Sequence, residues 1–226
     1  ERLRWVEERL AATAGGAAPK TRPAAGRGEA VAGGAAGDIS PSALMLAFES
    51  LGERCDFGAV QRHFGVEPLG LLRFAWSRFD SLIAALEDRF DAVGSVEDTA
   101  FELFGDETIL RMKKYDVIFH TFVERVAELT PERQEAFRQQ QRRRLLFLKD
   151  KLITDLEEAQ KIYVYATSEF ASDAQVARLS AALRAYGPNS LLYVRPASGA
   201  HPMGSVERLE PGLYAGYFPG VNDFLV

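Results

Sequence analysis

The sequence predicts an α/β fold: a single domain with a mostly parallel central sheet flanked by helices, preceded by a disordered linker. Three observations lead there. β-Branched and aromatic runs of strand length recur at Tyr115-Asp116-Val117-Ile118-Phe119-His120, Lys161-Ile162-Tyr163-Val164-Tyr165-Ala166 and Leu191-Leu192-Tyr193-Val194. Helical periodicity fills the gaps between them, with Leu145, Leu148, Leu152 and Leu156 on one stripe and a second helix over Asp173 to Tyr186. Strand–helix–strand–helix–strand order is how parallel neighbours joined by crossovers read in a sequence.

Residues 1–12 carry Leu3, Val6 and Leu10 at helical spacing and read as the C-terminal stub of an upstream helix. Residues 13–38 read as a flexible Gly/Ala/Pro linker. From Ala14 to Gly37, 18 of 24 residues are Gly, Ala or Pro and Val31 is the one bulky aliphatic, so burial cannot offset the entropy of ordering. The α/β domain is expected over 39–226.

Ser40-Pro41 forms a helix entry, cap residue then proline. A short strand is expected in the apolar run that ends at the Gly52 turn, and a helix over Arg54 to Phe64 stopped by Gly65. Cys55 falls in the first turn of that helix. Pro68 and Gly70 mark a loop, Ser81 to Phe90 a helix, and residues 91–113 are mixed. Thr130-Pro131 opens the longest helix, expected to run to about Gln160. Gly187-Pro188 closes the helix before Leu191, and the pieces around Pro211-Gly212 suit an edge hairpin.

Composition narrows the function. With 27 Lys and Arg against 32 Asp and Glu, the formal charge is −5, which argues against a phosphate-tracking surface and so against nucleic acid as a partner. One cysteine cannot form an internal disulfide, and His63, His120 and His201 supply no zinc-site spacing. No apolar run is long enough for a membrane span, and a cytoplasmic location is expected. G-x-x-x-x-G-K-[ST], G-x-G-x-x-G and G-x-S-x-G are all absent, so no cofactor and no metal is expected.

The chemistry-bearing candidates fall where strands give way to loops, the usual ligand crevice of an open α/β sheet. Cys55 follows the first strand, His120 ends the strand 115–120, and Ser168 with Glu169 follows the strand 161–166. A cysteine at a helix start faces unpaired N–H groups that stabilise thiolate, and an imidazole beside it serves as base and then acid. If their strands are neighbours, Cys55 and His120 meet. The plain alternatives are a buried small hydrophobe for Cys55 and a hydrogen-bonded core residue for His120. His63 reads as surface, Arg142-Arg143-Arg144 as a solvated face or an anion clamp, and Phe74, Trp76 and Phe79 as core or as a sugar-stacking wall.

The stretch Ser50-Leu51-Gly52-Glu53-Arg54-Cys55-Asp56-Phe57-Gly58, with Gln61-Arg62 and Glu67-Pro68-Leu69-Gly70-Leu71-Leu72-Arg73-Phe74-Ala75, carries a resemblance. It resembles a bacterial family of unknown function described as papain-like cysteine peptidases, in a branch found beside or fused to glycosyltransferases. The Ser-Leu-Gly-x-x-Cys motif, the histidine after an apolar strand and the basic helix around Arg143-Arg144-Leu145 are matched over roughly 46–218. The resemblance implies Cys55 as nucleophile and His120 as base. Arg73-Phe74-Ala75-Trp76 stands where many members carry Pro-Phe-Asp-Trp, and Glu124 stands in place of a further histidine, which leaves Asp80 as the third candidate.

Two functions are therefore expected of different kinds. One is a cysteine-nucleophile hydrolase or transferase acting through the Cys55–His120 pair on a small-molecule or glycan-linked substrate. The other is a non-catalytic module that binds carbohydrate or protein, tethered to an upstream polysaccharide-synthesis or glycosyltransferase domain.

Overall fold

The computed structural model describes residues 39–53, 55–167 and 171–218; the expected stub and linker lie outside them. Helix α1 (Pro41–Met45) starts as its sequence says, with the Ser40 hydroxyl accepting the Ala43 N–H at 3.2 Å. Strand β1 (Phe48–Ser50) and helix α2 (Asp56–His63) follow, and Gly65 continues beyond α2 at a φ of 74°. After β2 (Ala75–Trp76) come α3 (Phe79–Glu87) and an antiparallel meander, β3 (Thr99–Phe104), β4 (Glu107–Met112) and β5 (Val117–Glu124). A 3₁₀ turn (Val126–Glu128) leads into α4 (Pro131–Glu158), and β6 (Ile162–Ala166), α5 (Asp173–Arg184), β7 (Ser190–Pro196), β8 (Val206–Glu210) and β9 (Leu213–Phe218) complete the chain.

The strands form two sheets. In the five-stranded sheet the order is β1-β6-β7-β9-β8, parallel throughout except for β8, which pairs antiparallel to β9 as the expected edge hairpin. Helices flank it on both faces. Phe48, Ile162 and Val164 pack against Leu44, Met45 and Phe57 of α1 and α2 on one face. On the other, Tyr163, Tyr165, Leu191 and Tyr193 join Leu152 and Leu156 of α4, Val176 and Leu179 of α5, and α3 in the main apolar cluster.

The second sheet, β2-β5-β4-β3, corrects the sequence reading. The strand expected over 115–120 forms as β5, but it pairs antiparallel with β4 and β2 and is no neighbour of β6. Two lengths explain why. The four residues 113–116 between β4 and β5 suffice for an antiparallel return but not for a parallel crossover. Helix α4, at 28 residues, spans about 42 Å and carries the chain from one sheet to the other rather than back beside β5. Its Leu145 and Leu148 line a cavity with Leu110 and Phe119 of the antiparallel sheet, and all four leucines share one apolar cluster with Tyr163 and Leu191 of the parallel sheet, so a single stripe serves both.

Candidate functional site

The Ser-Leu-Gly-x-x-Cys segment lies at the carboxyl end of β1, where an open α/β sheet builds its crevice. Leu51 is fully buried and its N–H reaches the Val164 carbonyl at 2.9 Å, extending the pairing of β1 with β6 past Ser50. The chain then turns through two left-handed residues, Gly52 at φ 86° and Glu53 at φ 65°. Glycine accepts this conformation freely, and at Gly52 a Cβ would also sit 3.4 Å from the carbonyls of Leu72 and Ala75. At Glu53 the same conformation costs roughly 1 kcal/mol, and such strain is held where a side chain must point one way. The Glu53 carboxylate is buried and accepts the Thr167 hydroxyl at 2.8 Å, across from β1 to the end of β6.

Glu53 and Thr167 line a cleft of about 80 Å³ together with Trp76, Ser77, Arg78 and Tyr165. Ser77 is fully buried, and its hydroxyl makes no hydrogen bond among the described residues. Trp76 is 38% exposed, so part of its indole is available. Helix α3 begins directly after Arg78 with no side-chain cap on its first N–H groups. The wall thus offers a carboxylate, two hydroxyls, a guanidinium and an aromatic face, the set that hydrogen-bonds and stacks a polyhydroxylated ring.

Cys55 is half-buried and sits at the N-cap of α2, where its carbonyl accepts the Ala59 N–H at 2.9 Å. This is the helix-start placement that the sequence implied. His120 lies on β5 of the antiparallel sheet. The strand adjacency expected from the sequence is corrected: β1 pairs with β6, and β5 with β2 and β4. Arg73 and Phe74 run between their elements. Arg73 donates to the Gly58 carbonyl of α2 at 3.1 Å, the Phe74 carbonyl accepts the His120 N–H at 3.3 Å, and the Phe74 ring meets Phe122 edge-on at 5.5 Å.

His120 has its own carboxylate. Its Nδ1 lies 2.8 Å from Glu107 Oε2, its ring stacks on Phe122 at 5.7 Å, and Glu107 Oε1 accepts the Phe122 N–H at 2.8 Å. Burial pushes the Glu107 carboxyl up, but the bonds from His120 and the Phe122 N–H outweigh it and leave the group below the usual carboxylate range. Phe122 adopts φ 59°, beside a register shift between Glu107 and Ile109.

Asp80 is exposed in the first turn of α3, and Glu124 is exposed at the end of β5. His63 is a surface residue, as expected. Arg143 and Arg144 are exposed, and Arg142 donates to the Gly94 carbonyl at 2.8 Å. Ser168 and Glu169 lie outside the described residues. Among the described residues no three His, Cys, Asp or Glu side chains cluster in a way that could hold a metal. No helix among them is long and apolar enough to cross a membrane.

Sequence reasoning missed Glu53, Ser77, Thr167 and Glu107. Glu53 was inside the recognised motif, and Glu107 directly follows Phe104-Gly105-Asp106, whose two-residue Gly-Asp connection is a hairpin signal that dates the whole β3–β4 pair. Ser77 and Thr167 gave no signal, because each is drawn to the cleft only by the pairing of distant elements. In comparisons with known proteins, no family model, no curated protein and no solved structure matches this chain.

Proposed function

We propose that this chain is a binding module for a glycan-linked or other small polyhydroxylated ligand, working beside an upstream polysaccharide-synthesis or glycosyltransferase domain. One observation carries the reading: the strained Glu53 of the Ser-Leu-Gly-x-x-Cys segment holds its buried carboxylate on a cleft that also presents Ser77, Thr167 and an exposed Trp76 face. The family resemblance, with its glycosyltransferase neighbours, points to the same ligand chemistry. Isothermal titration calorimetry with monosaccharides, amino sugars and nucleotide sugars tests it. A saturable change is expected with at least one of them, abolished in Trp76→Ala and weakened about tenfold or more in Glu53→Gln, the loss of one hydrogen bond to a charged group. Absence of saturation across the panel, or binding indifferent to both variants, refutes the reading.

A cysteine-dependent hydrolase or transferase is the second reading, favoured by the position of Cys55 at the start of α2 on the same loop. It takes Cys55 as nucleophile and His120 as its base. The pH dependence of alkylation at Cys55, the only thiol in the chain, separates the two readings. For the binding module, His120→Ala leaves the alkylation profile unchanged. A thiolate that forms well below the free-cysteine value of about 8.5, and moves up in His120→Ala, would establish the coupled pair instead.

A further inference from the structure

The antiparallel sheet holds a second polar constellation that the cleft at β1 does not use. Between β5 and α4 lies a small cavity of about 30 Å³, enough to seat one or two oxygen atoms of a larger ligand, lined by Leu145, Leu148, His120, Thr121, Gln141 and Arg144. Three of these polar groups have capacity to spare. Among the described residues the Arg144 guanidinium makes no ion pair, the buried Gln141 amide makes no hydrogen bond, and the His120 Nε2 is unpaired, since only Nδ1 is taken, by Glu107. A carboxylate on Nδ1 fixes the ring and leaves Nε2 to face a ligand.

The backbone around the histidine is unusual as well. Phe122 holds a left-handed φ of 59° and is 59% exposed, next to the register shift in β4–β5. Bulges and strained residues of this kind re-aim side chains at sites. Here the distortion sets the Phe122 N–H on Glu107 Oε1 and the Phe122 ring against both His120 and Phe74.

From this geometry we infer that His120, Gln141 and Arg144 form a binding site for a phosphoryl group, with Glu107 orienting the imidazole and the exposed Phe122 ring beside it. The site is distinct from the β1 cleft and does not depend on that cleft's ligand. The Arg144 guanidinium and the Gln141 amide line one cavity and donate to the oxygens of a phosphoryl group, the His120 Nε2 lone pair accepts the P–O–H of its singly protonated form, and an aromatic edge beside them suits the organic part of a phosphate ester.

The test is an NMR titration of the His120 ring resonances in the full chain with inorganic phosphate and, separately, with glucose 1-phosphate. Both are expected to shift the His120 signals saturably, and Arg144→Ala is expected to weaken binding about tenfold or more. Arg143→Ala, one residue away and exposed, is expected to leave it unchanged, which separates a defined site from general positive charge. Tighter binding of the ester than of free phosphate assigns the Phe122 side to the organic group; equal binding assigns the site to the phosphoryl group alone. Shifts that never saturate, or an equal loss in Arg143→Ala, overturn the inference. His120→Asn, with folding checked by circular dichroism, gives a second reading by following the phosphorus signal: unchanged broadening of that signal would overturn the inference too.

Discussion

Glu49→Gln will stabilise the protein at pH 8 by up to about 3 kcal/mol while leaving it nearly unchanged at pH 4. Glu49 stands in the middle of β1, is 2% exposed, and its Oε2 makes no hydrogen bond among the described residues. It lies opposite Tyr163 of β6, whose hydroxyl is likewise buried and without a hydrogen bond. Lys151 of α4 comes no nearer than 4.0 Å and is already bound to Asp155, and the loop at Gly70 lies so close that a Cβ there would run into the carboxyl group. Burial is the largest influence and pushes the group up to about 7; Lys151, Lys161 and Arg73 pull it down, and Asp155 adds to the rise.

The sign follows from linkage. The unfolded chain ionises Glu49 near 4.5, whereas the folded chain keeps it protonated to about 7. Stability is therefore lost as pH rises through that window, by about 1.4 kcal/mol per unit, and the loss is complete above it. A neutral glutamine removes this slope. Urea unfolding of parent and variant from pH 4 to pH 8 measures it, with the difference between the two curves isolating Glu49 from every other titrating group. Parallel curves would mean that Glu49 is ionised in the folded protein.

Arg73→Ala is expected to cost about 3 kcal/mol or more, because this arginine ties the loop after α2 to the helix itself. Its side chain is 7% exposed and donates to the carbonyls of Gly58 at 3.1 Å, Val66 at 3.2 Å and Pro68 at 3.4 Å, besides its ion pair with Glu67. Truncation strands these carbonyls and removes the guanidinium that packs on the Phe74 ring at 4.7 Å. Glu67 is half exposed, so Glu67→Gln should cost far less. Chemical denaturation of both variants decides between these contributions. Equal losses would place the stabilisation in the ion pair rather than in the buried carbonyl bonds.

Much of the local structure was legible in the chain. The Ser40 and Thr130 caps, the four-leucine stripe of α4 and the Gly65 stop are each set by residues within a turn or two of one another, and each formed as read. The Gly105-Asp106 hairpin is equally local, but the mixed pattern on either side of it hides its strands. The candidate site was half legible. Cys55 and Glu53 lie within one motif, whereas Thr167 and Ser77 come to the cleft from 114 residues away in one case and from the β2–α3 junction in the other.

The sequence by itself determined most of the helices, the strands outside the stretch 91–113 and the presence of a mostly parallel sheet with helices on its faces, because periodicity, capping and turn chemistry act over a few residues. Only the tertiary structure decided which strands are neighbours. Whether β5 joins β6 depends on the length of α4 and on competition from β4 for the same edge, and no residue of β5 encodes that outcome. The same choice took His120 away from the sheet that carries Cys55 and set it against Glu107, since a side chain's partners follow from strand pairing and not from its own neighbours in the chain.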